Sequence, residues 1–122
     1  MPHETDLTSK HFIEGTTPRI GYTLEGADGE TITAALGAQT ATIYDVKSKT
    51  AIPGWTDKDI KGLQGNVVTS GVGVWDLPVD ATVKLTTAKS EIHIIAMKFT
   101  YATDRVGKHD IKMQIRERAV GS

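Results

Sequence analysis

Alternation of apolar and polar residues with a period of two is the feature that most constrains the fold of this chain. The pattern recurs in "RIGYTL", "TATIYDV", "GVGVWDL" and "HDIKMQI". A strand points successive side chains to opposite faces of a sheet, whereas the faces of a helix repeat every 3.6 residues. Helical character is confined to residues 56–65, where Thr56 is a candidate cap and Gly62 and Gly65 would end a short turn. The sequence therefore predicts an all-β protein.

Turn signals divide the alternating segments into about seven short strands. Asp28-Gly29 and Ser70-Gly71 are suited to tight hairpins, and Gly107 to the turn of the closing hairpin. Short strands separated by such turns are typical of an antiparallel sandwich. Its core is predicted to contain eight residues of the alternating segments, namely Ile20, Tyr22, Ile43, Val74, Ile94, Ala96, Ile111 and Met113.

Length and composition indicate one globular domain. The chain has 122 residues, of which 14 are basic and 15 acidic, and its formal net charge is −1. It lacks the basic face that binds phosphate backbones, and its longest apolar run is too short to span a bilayer, so neither nucleic acid nor a membrane is an expected partner. The absence of cysteine excludes disulfides and thiolate metal sites, and it is typical of a protein made in a reducing cytosol.

Both termini are expected to lie outside the domain, which is predicted to span residues 16–118. Residues 1–15 start with "MPHETDLTSK", which is too polar for a secretory signal, and are predicted to form an N-terminal arm. Such an arm either orders against a neighbouring protein or has no role. Residues 119–122 are predicted to be a C-terminal tail, and their final Gly-Ser is given no role.

His93 and His109 are the candidate residues for a catalytic or metal site. They lie on the two strands of the closing hairpin, where Asp110 or Glu91 would add a carboxylate. His109 and Asp110 are adjacent and so point to opposite faces of a strand, which argues against a shared site. We expect His93 to be half-buried and His109 to face solvent. No enzyme, metal or cofactor is therefore predicted, and an enzyme built around the two histidines is the weaker alternative.

Trp55, Trp75 and Tyr101 are candidate platforms for stacking on sugars. Both tryptophans lie near predicted strand ends, where an exposed ring could bind carbohydrate. The structural alternative is that each ring caps an edge of the core while its indole N–H binds a carbonyl oxygen. Both interpretations stay open at the level of the sequence.

The order of these segments resembles that of small immunoglobulin-like proteins in the particles of tailed bacteriophages. It is similar in outline to the N-terminal domain of upper-baseplate phage proteins. The matching segments follow an Asp-Gly hairpin and are residues 40–45 ("TATIYD"), 71–75 ("GVGVW") and 107–115 ("GKHDIKMQI"). The resemblance covers about residues 18–116 and depends on turn glycines, core alternation and one tryptophan, so it transfers no catalytic residue.

The resemblance implies an antiparallel immunoglobulin-like β-sandwich of about seven strands and a non-enzymatic structural role in the virion. Such a protein would be a neck, tail or baseplate accessory or a capsid decoration protein, made in the host cytoplasm. Its expected partners are other phage structural proteins, with homo-oligomers as a further option. The alternative function is a carbohydrate-binding module that uses the exposed aromatics.

The polar segment 81–90 is the candidate partner surface. It is predicted to be an edge strand with two apolar anchors and two guarding lysines. The loop over residues 55–65 is the next candidate if this segment is not the contact, so the candidate interface residues are Val83, Lys84, Leu85, Lys89 and Trp55.

Overall fold

The computed structural model describes residues 4–30, 32, 36–101 and 105–117. Within these ranges there are eight strands and two short 3-10 helices. The strands are β1 (Glu4–Ile13), β2 (Arg19–Thr23), β3 (Gln39–Asp45), β4 (Lys58–Asp59), β5 (Val67–Thr69), β6 (Val72–Asp76), β7 (Ser90–Tyr101) and β8 (Arg105–Arg116). The 3-10 helices are Leu63–Gly65 and Val79–Ala81. No helix in the described ranges has the length and apolar character needed to cross a membrane.

The strands form two sheets that pack as a sandwich. One sheet has the order β1-β8-β7-β3-β4 and the other β2-β6-β5, and every pair is antiparallel except β1 with β8. If β2 is lettered B and the letters follow the chain, the sheets are G-F-C-C′, with β1 added beside G, and B-E-D. This is the immunoglobulin strand order, so the predicted all-β sandwich is confirmed.

The core lies between the sheets and is formed by one face of each strand. Along β7 the odd-numbered side chains from Glu91 to Tyr101 are buried, while the even-numbered ones are half-buried or exposed. Of the eight predicted core residues, those confirmed are Ile20, Tyr22, Ile43, Ile111 and Met113.

Three predicted core residues lie on outer faces instead. Val74 is 43% exposed, because its neighbour Trp75 points inward from β6. Ile94 and Ala96 are half-buried on the outer face of β7. The start of β7 is apolar on both faces, so alternation alone could not indicate which face the second sheet covers.

The predicted free N-terminal arm is wrong, because most of it is a strand. β1 runs parallel to β8, with Thr5 opposite Ile111 and Phe12 opposite Ile115 and a register shift between them. Phe12 and Leu7 also pack against the core. A polar segment can add to a sheet edge through its backbone hydrogen bonds, which side-chain periodicity does not reveal. The sandwich therefore begins well before residue 16, and the predicted tail 119–122 lies outside the described residues.

The predicted turns have mixed outcomes. Ser70 and Gly71 have φ of 49° and 82° and join β5 to β6, as predicted. Gly29 has φ of 79° in a turn where Gly26 N–H donates to the Glu30 carbonyl, but the segment after this turn lies partly outside the described residues, so the hairpin stays a prediction.

The predicted role of Gly107 is wrong, and the short helical turn predicted in residues 56–65 lies later in that segment than predicted. Gly107 lies inside β8 beneath the Phe99 ring, where a Cβ atom would lie 2.4 Å from Phe99 Cζ. The glycine is required for space, and residues 102–104, between β7 and β8 in sequence, lie outside the described residues. Residues 56–65 contain β4 and then the 3-10 helix Leu63–Gly65, so the short helical turn follows Gly62 and does not begin at Thr56, because Asp57 and Gly62 have left-handed backbones.

Candidate functional site

The predicted interface segment is a loop and not an edge strand. It leads from the 3-10 helix Val79–Ala81 to β7. Lys84 is half-buried and its Nζ donates to the carbonyl oxygens of Thr86 (2.8 Å) and Ala88 (2.5 Å), so its charge is held against its own loop. Of the other predicted interface residues, Val83 and Lys89 are exposed and Leu85 is half-buried against the core.

The side chain of Glu91 explains why this segment is not a strand. Glu91 Oε1 accepts the backbone N–H of Leu85 at 2.8 Å, and Oε2 accepts the backbone N–H of Thr86 at 2.7 Å and its hydroxyl at 2.6 Å. The backbone N–H groups of Leu85 and Thr86, which a β-strand would use to pair with a neighbouring strand, are thus bound to a carboxylate. The prediction of an edge strand at residues 81–90 is therefore wrong.

The aromatic platforms predicted for carbohydrate binding are buried. Trp55 and Trp75 are both 0% exposed and lie with their ring centroids 6.0 Å apart, while Tyr101 is 5% exposed. The rings fill the core between the sheets, since they offer the largest apolar area in the chain. The exposed aromatics that the carbohydrate hypothesis requires are absent at these three positions. For the same reason Trp55 has no surface to offer a protein partner.

His93 and His109 lie on the same side of their sheet but do not form a site together. His93 is opposite Met113 and His109 is opposite Met97, which places them four residues apart along β7. At about 3.3 Å per residue this separation is roughly 13 Å. His109 is 2% exposed, so the prediction that it faces solvent is wrong. β1 covers it, and its Nε2 lies 2.7 Å from Thr5 Oγ1.

Three buried polar side chains converge where β3 ends and β7 begins. Asp45 is directly opposite His93 across the β3–β7 pair, and Glu91 lies two residues before His93 on the same face of β7. His93 Nε2 is 2.8 Å from Glu91 Oε1 and 3.8 Å from Asp45 Oδ1. One ligand atom from each residue lies within 4.8 Å of the other two. We call these three residues the acidic-histidine cluster.

The second oxygen of each carboxylate is fixed by hydrogen bonds from a nearby serine or threonine. Asp45 Oδ2 accepts the backbone N–H and the hydroxyl of Ser48, both at 2.8 Å. Glu91 Oε2 is held in the same way by Thr86. The other two oxygens, Asp45 Oδ1 and Glu91 Oε1, are therefore the ones that face His93 Nε2.

Glu91 is ionised at neutral pH. Burial alone would raise its pKa, but the hydrogen bonds from Thr86, Leu85 and His93 outweigh burial and lower the pKa from 4.5 to about 2. The carboxylate is thus a fixed negative charge that ties the loop before β7 to the sheet.

A surface cleft gives access to the cluster. It has a volume of about 870 Å³ and lies between the turn after β3 and the loop before β7. Asp45 and Glu91 both line it, together with Ser48 and Thr86. The arrangement can bind a cation, since two carboxylates and an imidazole meet beside an opening to solvent.

The sequence contained a partial signal for this cluster. Glu91 and His93 are two residues apart on a predicted strand and therefore share a face. Asp45 was not among the candidate site residues. It comes close to His93 only through the pairing of β3 with β7, which the sequence does not show.

The outer face of the smaller sheet exposes a group of valines. Val67, Val72 and Val74 are 58%, 54% and 43% exposed. Val67 is directly opposite Val74, and Val72 lies two residues before Val74 on the same face of β6. We call these three residues the valine face.

No protein-family model matches the chain, and a search of curated proteins finds no significant match.

Proposed function

We propose that this protein is a non-enzymatic structural component of a tailed bacteriophage particle and acts through protein–protein contacts. It would be a neck, tail or baseplate accessory or a capsid decoration protein. Its partners would be other phage structural proteins or further copies of the chain. The sequence resemblance supports the phage particle, and the immunoglobulin strand order agrees with the fold that this resemblance implies.

The valine face is the observation that carries the proposal. Three valines in register across β5 and β6 form an exposed apolar group, whereas the same strands bury Trp75 and Gly73 on their inner face. Contiguous apolar surface of this kind marks a protein contact more often than isolated exposed residues do. Thr23 and Thr69, both opposite Val72, border one end of the face with polar groups, and interface rims are commonly polar.

A small contact suits a protein present in many copies. A virion repeats the same surface by symmetry, and weak contacts in a repeated array give an avidity that one contact lacks. The valine face therefore need not bind tightly as a single site.

Purified particles test the proposal. We expect mass spectrometry to detect the protein in particles of its own phage. Val74→Glu would place a charge in the contact and lower incorporation by at least about tenfold, equivalent to about 1.4 kcal/mol. Val106→Glu is the matched control, because Val106 is 49% exposed on the other sheet and lies outside the valine face.

Two results would contradict the proposal at different levels. Particles that lack the protein would refute the structural role. Normal incorporation of the Val74→Glu protein would retain that role but refute the valine face as its contact surface.

A further inference from the structure

We propose that the acidic-histidine cluster of Asp45, Glu91 and His93 binds a divalent transition-metal ion, with zinc as the best fit. The inference is independent of the proposed function, because the cluster lies on the larger sheet and the valine face on the smaller one.

The donor set is suited to zinc. One imidazole nitrogen and two carboxylate oxygens are ordinary zinc ligands, and three protein ligands with a water molecule complete a tetrahedral site. Calcium takes six to eight oxygen ligands, more than this cluster offers. The cleft of about 870 Å³ reaches two of the three ligands, because Asp45 and Glu91 line it, and it supplies the entry path.

The distances are close to those that a zinc ion requires. Zinc–nitrogen and zinc–oxygen bonds of about 2.0–2.2 Å place neighbouring tetrahedral ligands roughly 3.3 Å apart. His93 Nε2 lies 2.8 Å from Glu91 Oε1 and 3.8 Å from Asp45 Oδ1. The longest separation among the three ligand atoms is within 4.8 Å. Side-chain shifts of roughly 1 Å would bring all three to the required spacing.

The outer hydrogen bonds already orient the two carboxylates. Ser48 holds Asp45 Oδ2, and Thr86 holds Glu91 Oε2, both through a backbone N–H and a hydroxyl. Carboxylates that bind a metal are commonly fixed by such partners. The remaining oxygens face His93 Nε2 and are the ones that would engage the ion; of these, Glu91 Oε1 also accepts the backbone N–H of Leu85 at 2.8 Å.

Burial of two carboxylates beside one imidazole is a further argument for a cation. The side chains of Asp45 and Glu91 are 5% and 4% exposed, and His93 is the one ion-pairing partner that the described residues offer to either. A divalent ion between the two carboxylates would pair with both, and buried acidic groups are normally hydrogen-bonded, paired or bound to metal.

The second nitrogen of His93 sets an upper limit on the affinity. His93 Nδ1 is buried and has no hydrogen-bond partner among the described residues. When Nε2 binds the metal, the proton moves to Nδ1 and has no acceptor there. Metal ligands that lack such a partner bind roughly 10- to 100-fold more weakly, so we expect the site to bind zinc less tightly by that factor than a site whose histidine has such a partner.

Zinc titration of the full chain, free of any affinity tag and treated with a chelator, tests the proposal. We expect calorimetry to give one Zn²⁺ per chain and the thermal midpoint to rise with zinc. Asp45→Asn should weaken binding by at least about tenfold. His109→Gln is the matched control because it changes the other buried histidine, and His11→Gln tests surface binding at an exposed one.

Binding of Co²⁺ to the unmodified chain provides a second measurement that does not depend on a variant that folds. Intense visible absorption of a four-coordinate Co²⁺ complex, removed by zinc, supports the site. Absence of stoichiometric uptake by the unmodified chain would overturn the proposal. So would equal zinc affinity in the folded Asp45→Asn protein, or loss of binding in His11→Gln alone.

Discussion

At the scale of single residues, close packing decides several positions that sequence patterns interpret differently. Gly107 has the appearance of a turn glycine, yet it lies in a strand because the Phe99 ring covers it. Gly73 is similar, since a Cβ atom there would lie 2.2 Å from Tyr22 Cζ. At both positions an aromatic ring occupies the space that a Cβ atom would fill, because close-packed cores leave no room for an added methyl group.

Gly107→Ala is therefore expected to destabilise the protein. The added Cβ meets the Phe99 ring at 2.4 Å, so ring and strand must shift, at a cost of about 1–3 kcal/mol in the free energy of unfolding. Urea denaturation measures the change. Gly21→Ala is the control, because its Cβ would be 3.8 Å from the nearest neighbouring atom, and we expect a change within about 0.5 kcal/mol. Equal stability of the Gly107 and Gly21 variants would contradict the packing argument.

Asp110→Asn is expected to stabilise the protein at neutral pH. Burial, together with the negative charge of Glu4 directly opposite, raises the pKa of Asp110, and Lys108 offsets only part of this. A raised carboxyl pKa means that the folded state disfavours the ionised form. The penalty is absent below the pKa of the unfolded chain and complete above that of the folded one.

The gain from Asp110→Asn should thus appear as pH rises through the acidic range and persist at pH 7. Like charges that face each other across strands cost roughly 0.2–1 kcal/mol. Denaturation curves at pH 3 and pH 7 measure the difference. Lys108→Gln is the control, because it removes an attractive charge and should act in the opposite direction. A larger gain at pH 3 than at pH 7 would contradict the argument.

At the scale of elements, β1 is the strand in which the structure differs most from the fold predicted from the sequence. It covers the outer side of β8, brings Thr5 to His109, and packs Leu7 and Phe12 against the core. Without it, β8 would be an edge of twelve residues. Long unpaired edges are sites of aggregation, so β1 protects the larger sheet.

Deletion of residues 1–13 is expected to lower the free energy of unfolding by at least about 2 kcal/mol, since it removes the packing of two large apolar side chains. Hydrogen exchange should show loss of protection along β8, and light scattering should show self-association. A free arm would instead leave stability within about 0.5 kcal/mol. The control is Lys10→Ala, an exposed change within β1, which should behave like the unmodified chain.

At the scale of the whole molecule, strand order brings together groups that are distant in sequence. Pairing of β3 with β7 places Asp45 opposite His93, and the loop before β7 then adds its backbone to Glu91. The smaller sheet meanwhile turns its valines outward on the other side of the sandwich. A proposed metal site and a proposed contact face therefore occupy different sheets, and each can be tested without altering the other.

The sequence by itself determined several of the strands and some of their turns. Alternation predicted β2, β3, β6 and β8, and Ser70-Gly71 marked the hairpin between β5 and β6. These features are local, because side-chain period and positive φ depend on a few adjacent residues. The sandwich class followed from the number and spacing of the strands.

Only the tertiary structure decided which faces are buried and which side chains meet. Val74 points outward and Trp55 inward because the packing of one sheet on the other selects the face, and a strand apolar on both sides does not indicate that choice. Strand β1 is held by backbone hydrogen bonds that carry no sequence signature. The convergence of Asp45 on His93 joins residues 48 positions apart in sequence and requires their two strands to pair in one register, which no local pattern specifies.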